Sequence, residues 1–295
     1  SGALFMAKYV ETQTRKIISA YGGVGSIFES TEGALIIEPF DKWVFVKNEL
    51  FIKNTKEIKD VYKIDDGRLI GRLRYVNAFE KLEVLFTVPH SNWKNAVTAK
   101  YFPEWFFCSN CNRFKPLKEW FSNWKMILEK HHESEIREKF ISPKCAYCFD
   151  RAKENRDRKK YYDLEQVRFI MTSPNGKIRD IPWEYWTTAI KAKKQDTDNP
   201  IVTEDNEEAS KIELTFQPCC DKQDLRYKQS EKFEDLRGIN IICENCNKRN
   251  TLTGLFGLRL ADNGHQENQE KSYFKPVVRS SNSVYYPILV SSLYL

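Results

Sequence analysis

A chain of 295 residues that is 41% hydrophobic can fill a real core, as one large domain or two smaller ones, which excludes global disorder. Its 47 Lys and Arg against 41 Asp and Glu leave a net charge of +6, enough for localised contact with an acidic polymer and too little to hold DNA by charge alone. No stretch approaches the roughly 20 apolar residues of a membrane span, and the N-terminus lacks the charged and apolar regions of a signal peptide, so the chain reads as cytoplasmic with no membrane partner.

The opening SGALF ahead of Met6 reads as an appended segment. Residues 7 to about 20 have the spacing of a short amphipathic helix, ended by the glycine-rich YGGVGS. GGVGS lacks the Lys and Ser/Thr of a phosphate-binding loop, so it reads as a turn and gives no support to ATP hydrolysis. ALIIEP and WVFVKN run apolar or alternate as short strands do, and RLIGRLRYVNAFEKLEVLF reads as a helix followed by a strand. A helix is expected within 115–140, with Leu117, Trp120, Trp124 and Leu128 near one face as core. DRAKENRDRKKYY, residues 150–162, reads as a charged, mostly basic helix. VRFIMTSPNGKIRDIPWEYW reads as a strand, a Pro-Asn-Gly turn and an aromatic-rich helix opened by Pro182. The polar stretches 191–210 and 262–272 read as loops. The apolar ending SVYYPILVSSLYL either packs as a strand or precedes further chain.

The cysteines fall into two sets of four: Cys108, Cys111, Cys145 and Cys148, then Cys219, Cys220, Cys243 and Cys246. In a reducing compartment this grouping favours thiolate ligation over disulfides. A C-x-x-C turn presents two thiolates from one tight loop, and two such loops close a tetrahedral zinc site with no open position for water. The first set fits that pattern, with buried unligated thiols and redox use as competing readings. In the second set adjacent Cys219 and Cys220 do not naturally point at one metal. Three readings stand there: four cysteine ligands, a mixed site with one of the pair a spectator and His265 a ligand, or buried thiols beside a lone knuckle. Two zinc ions are expected. His131 and His132 read as solvated, and His90 as a turn residue.

No catalytic spacing is evident among the carboxylates, so the chain reads as non-enzymatic. Arg151, Lys153, Arg156, Arg158, Lys159 and Lys160 are candidate phosphate contacts, with Tyr161 and Tyr162 beside them able to stack on bases. The competing reading is a solvated helix face interrupted by Asp150, Glu154 and Asp157. The expected fold is α+β, with mixed short strands and helices and two zinc-knuckle clusters. Its regions are 6–100, then 101–165 with the inserted helix, then 166–295.

AYGGVGSIFES, YFPEWFFCSNCNRF, KCAYC, VRFIMTSPNGKIRDIPWEYW, INIICENCNKRNTLTGLFG and KPVVRSSNSVYYPILVSSLYL, taken in order, resemble the N-terminal part of DrmB. DrmB is the helicase-associated subunit of DISARM-type antiphage defence systems. The resemblance implies a non-catalytic subunit that joins a superfamily 2-type helicase and helps load it on DNA, and the modest net charge predicts weak DNA binding by the chain alone. In the family these elements usually precede a further C-terminal domain, which implies a truncated or naturally short version here. Where similar proteins tend to read C-x-x-G-H before the D-x-P-W element, this sequence has Ser173-Pro174-Asn175-Gly176-Lys177, so those two potential ligands are absent. The alternatives are a stand-alone nucleic-acid-binding zinc module, or a nuclease with an unrecognised site.

Overall fold

The computed structural model describes residues 22–31, 33–75, 79–88, 97–132, 142–158, 161–191, 212–230, 235–262, 272–280 and 284. The expected helix at 7–20, most of the two polar stretches, His90, His265 and all but residue 284 of the apolar ending lie outside them. The fold is α+β, with short strands and few helices, in two compact units that meet in sequence at Phe102 and Pro103.

In the first unit, strands β1 (Ile27–Ser30), β2 (Gly33–Ile37) and β5 (Ala99–Tyr101) form an antiparallel sheet in the order β1-β2-β5. The glycine-rich segment before β1 is a turn. Gly25 has φ +81°, a conformation that favours glycine, and its amide donates to the Ile37 carbonyl at 2.9 Å. β3 (Lys63–Ile64) pairs with β4 (Leu85–Phe86), and between them runs helix α1 (Gly67–Arg74). Asp66 caps α1, its carboxylate accepting from the Leu69 amide at 2.9 Å. Of residues 43–48, expected as a strand, 44–48 turn as a helix instead, with Val46–Leu50 in a wide turn. Phe45, Val46 and Leu50 are buried while Lys47 and Asn48 face outward, which is a helical and not an alternating pattern. A short apolar run carries no period that separates the two forms.

In the second unit, β6 (Trp105–Phe107) pairs with β7 (Phe114–Pro116) and β8 (Glu165–Gln166). Helix α2 (Leu117–Lys130) follows β7 directly, and the Leu117 amide finds the Glu104 carbonyl at 2.7 Å. α2 stops at Lys130, short of the expected 140, because His132 adopts φ 54° and closes the last turn. Trp120, Trp124 and Leu128 are buried as their spacing predicts. Trp124 and Leu128 pack with Ala146 and Phe149 of helix α3 (Ala146–Glu154).

The larger core lies beneath a sheet of order β10-β9-β17-β16, formed by β9 (Phe169–Thr172), β10 (Ile178–Arg179), β16 (Leu260–Ala261) and β17 (Tyr273–Val278). A 3-10 helix, Trp183–Thr188, capped by Pro182, lowers Trp183 and Trp186 into this core, both fully buried. β11 (Ile190–Lys191) pairs with β12 (Ile212–Glu213). A last antiparallel sheet contains β13 (Leu225–Gln229), β14 (Ile239–Cys243) and β15 (Arg249–Thr251), in that order. Most of the rings at 101–107 and 183–186 face inward: Phe102, Phe106, Trp183 and Trp186 are buried, and Trp105 and Phe107 pack against the main core, whereas Tyr185 is half-buried against the exposed Phe216.

Candidate metal centre

The β6–β7 hairpin carries Cys108-Ser109-Asn110-Cys111-Asn112-Arg113 at its tip, and the β14–β15 hairpin carries Cys243-Glu244-Asn245-Cys246-Asn247-Lys248. Both read C-x-N-C-N-basic, and they fold alike. Asn112 (φ 59°) and Asn247 (φ 60°) take the left-handed conformation that asparagine tolerates best after glycine. Their amides return to the Cys108 and Cys243 carbonyls at 2.7 and 2.8 Å. The Cys108 and Cys243 amides in turn reach the Arg113 and Lys248 carbonyls at 3.0 and 2.9 Å. The asparagine inside each loop donates across the cluster to an opposing sulfur, Asn110 to Cys148 at 3.2 Å and Asn245 to Cys220 at 3.4 Å. This repeat is a feature that cysteine spacing alone overlooks. Its signal is the pair of asparagines shared by CSNCNR and CENCNK.

The other half of the first cluster sits at a helix start. Cys145 caps α3, its sulfur accepting from the Cys148 amide at 3.4 Å, so both thiols lie at the positive end of the helix dipole, which favours thiolate. The Cys145 amide is held by the Tyr162 carbonyl at 2.8 Å. The Cys108 and Cys148 sulfurs are 3.7 Å apart and those of Cys111 and Cys145 3.6 Å apart. Those separations are far beyond the ~2.05 Å of a disulfide. They match the ~3.8 Å edge of a sulfur tetrahedron built on metal–sulfur bonds of about 2.3 Å.

Cys219 and Cys220 lie in the bend before β13, and that bend brings both sulfurs in: the four sulfurs of the second set all lie within 4.8 Å of one another. Adjacent cysteines therefore do converge here. Cys220 and Cys243 are 3.7 Å apart, and Gln223 donates to the Cys219 sulfur at 3.3 Å while also reaching the Glu184 carbonyl at 2.8 Å. All eight thiols are free of disulfides. The clusters differ in cover. Cys108, Cys145 and Cys148 are buried, whereas in the second set only Cys243 is.

So many thiols this close cannot share one ordinary pKa. In the first cluster a hydrogen bond from Cys108 leads in drawing Cys148 down to about 6, while contacts with Cys108, Cys111 and Cys148 push Cys145 up. In the second, burial alone would raise Cys243, but backbone amides of Asp224, Cys246 and Asn245 outweigh it and bring the thiol to about 7. Among the described residues these are the groups of three or more His, Cys, Asp or Glu whose donor atoms converge for a metal. Each donor set is four sulfurs within 4.8 Å of one another, a set that suits zinc or iron.

A family model described as a domain of unknown function (DUF8724) matches residues 13–286. The chain belongs to this family. Comparison with curated proteins found no match. The DUF8724 match spans both hairpins, α3 and the main core, so both cysteine clusters are inside the matched region.

The candidate phosphate contacts are arranged differently from expectation. α3 ends at Glu154, not near 162, because Arg156 takes φ 57° in a helix-ending motif: its amide returns to the Lys153 carbonyl at 3.2 Å, and the Asp157 amide to Ala152 at 2.8 Å. Arg151 and Lys153 are on the helix, Arg156 and Arg158 beyond it, and Lys159 and Lys160 outside the described residues. Arg151, Arg156 and Arg158 are exposed, whereas Lys153 lies over the Phe149 ring at 5.9 Å. Tyr161, a candidate base-stacking residue, instead stacks on Phe149 at 5.5 Å. His131 is not solvated. Its Nε2 pairs with Asp150 at 2.7 Å and its ring meets Phe149 edge-on. Asp150 and Glu154 are both held by Lys130, each at 2.8 Å.

The segment 173–177, where the resemblance points to lost ligands, forms a polar knot. Ser173, Asn175 and Lys177 all donate to the Asp262 carboxylate, at 2.7, 2.9 and 2.8 Å. That side chain is 2% exposed, and the Lys177 hydrogen bond leads in holding it well below the usual carboxylate range. No helix among the described residues is long and apolar enough to cross a membrane.

Proposed function

We propose that this DUF8724 protein is a non-catalytic, zinc-stabilised subunit of a bacterial antiphage defence system of the DrmB type. In this reading it works in the cytoplasm beside a superfamily 2-type helicase and adds a weak DNA contact of its own. The observation that carries the reading is the closed, four-sulfur character of both clusters, since a catalytic zinc keeps a position for water and a structural one does not. Zinc bound there would supply no reaction chemistry; it would lock the two hairpin tips. Around it the chain's own residues do the work of placement. Asn110, Asn245 and Gln223 fix sulfurs by hydrogen bonds, and the inward-facing tryptophans hold the hairpins on the core. The exposed Arg151, Arg156 and Arg158 are the residues offered to phosphate.

The test is co-purification with a superfamily 2-type helicase, followed by DNA affinity of chain, helicase and complex at low and physiological salt. Affinity of the complex well above either component supports the recruiting subunit, because linking two weak sites raises the effective concentration of the second. Tight binding by the chain alone at physiological salt favours the stand-alone module. ATP or DNA hydrolysis abolished by a point mutation in this chain would make it an enzyme.

A further inference from the structure

The two metal clusters are joined by one side chain. Arg226, on β13, is 11% exposed and spends its guanidinium on both sides. Nη1 donates to the Cys111 carbonyl of the first loop at 3.1 Å, and Nη2 to the Asp224 carboxylate at 2.7 Å. Asp224 belongs to the second cluster's frame, because its carbonyl accepts from the Glu244 amide, inside the Cys243–Cys246 loop, at 2.9 Å. Glu244 places a carboxylate 3.9 Å from Arg226 Nε. The backbone repeats the link: the Tyr227 amide donates to the Asn112 carbonyl at 2.8 Å, and Arg113 and Arg226 form a β-bridge. The left-handed asparagine of one loop is thus tied to the strand paired with the other loop's Cys243.

We infer that Arg226 is a positioning residue that couples the two metal sites, so that filling one orders the loop of the other. This inference rests on the reading that both clusters hold metal. A charged fork with little solvent contact has one good arrangement. It needs the Cys111 carbonyl and the Asp224 carboxylate in place together, and each is placed by its own metal loop. Loss of metal from one loop releases one anchor and leaves the other half of the fork poorly satisfied, which loosens the second loop. Coupling through such a link is reciprocal, and couplings of this kind commonly amount to about 5- to 150-fold.

Hydrogen exchange on the full chain tests this. The isolated protein is first assayed for metal. Graded chelator then removes one metal per chain, and amide exchange is read across the opposite loop, 108–113 or 243–248, whichever site empties first. In the wild type, exchange in the still-loaded loop should rise about fivefold or more. In Arg226→Met, and in Arg226→Lys as the variant that keeps the charge, that loop should exchange faster even with both metals bound and should respond severalfold less to emptying the other site, the backbone link alone remaining. Simultaneous loss of both metals from the wild type, split into separate steps in the Arg226 variants, supports the coupling equally. Unchanged exchange in the wild type, or an equal response in the Arg226 variants, overturns it while leaving metal binding intact. Protein that carries no metal as isolated removes the underlying reading instead.

Discussion

The indole nitrogen of Trp120 donates to the carbonyl of Phe106 at 3.0 Å, with both residues fully buried. This bond ties the first turn of α2 to the strand that delivers Cys108. Trp120→Phe keeps most of the apolar volume but loses this hydrogen bond, a cost of about 0.5–1.5 kcal/mol. Trp120→Ala adds a cavity, for about 3–5 kcal/mol. Urea denaturation of the metal-loaded protein, compared at constant slope, measures both.

Elemental analysis of the purified chain should find two zinc ions, with the buried first site the tighter. Cys111→Ser and Cys246→Ser should each remove one. Because structural zinc contributes on the order of 10 kcal/mol of apparent binding energy in small domains, the Cys111 and Cys148 variants should be protease-sensitive. Soluble variants that keep the full metal content would make those thiols spectators.

Asn112 and Asn247 occupy left-handed backbone that a β-branched residue resists. Asn112→Gly should leave thermal stability nearly unchanged, whereas Asn112→Val should lower it by about 1–2 kcal/mol or more. The same pair at Asn247 should behave alike, and differential scanning calorimetry distinguishes the two substitutions.

Burial raises the Tyr227 phenol to about 12, with Arg168 opposing and Glu165 adding. The raised value means that the neutral ring stabilises the fold fully below pH 10, the ordinary value, and that this contribution is lost as pH climbs toward 12. Relative to Tyr227→Phe, the wild type should lose about 2–3 kcal/mol across that window, at about 1.4 kcal/mol per pH unit. Alkaline denaturation of both proteins checks this, and parallel curves would contradict it.

If Arg151, Arg156 and Arg158 meet phosphate, changing all three to Glu should flatten the salt dependence of DNA binding. The wild type should show a slope of about −2 to −4 in log affinity against log salt, corresponding to about two to four phosphates. Fluorescence anisotropy over a salt series reads it. An unchanged slope means that these arginines are a solvated face.

Much of the metal centre was legible from local spacing, because a C-x-x-C turn brings two sulfurs together whatever surrounds it. Cys219 and Cys220 were harder, since their convergence depends on a backbone bend that no spacing encodes. Trp120, Trp124 and Leu128 were legible as core because four-residue steps repeat one helical face. The end of α3 was not. Nothing in ENRDRKK marks Arg156 as the residue that turns left-handed, and charge composition continued the helix on paper. His131 looked solvated among charges, yet its partner Asp150 comes from another helix. The Arg226 fork likewise depends on strands brought together from distant parts of the chain.

The pairing of β9 with β17 has a temporal side. β9 leaves the ribosome about 5 to 20 s before β17 is made, at ordinary rates of about 5–20 residues per second. Through that interval Phe169, Ile170 and Met171 present an apolar edge with its eventual neighbour unborn, while the four thiols of the first cluster already exist and can be gathered. Early metal capture would hold β6, β7 and α3 near that edge during the wait. Zinc starvation should then appear first as aggregation of newly made chains, with mature protein spared.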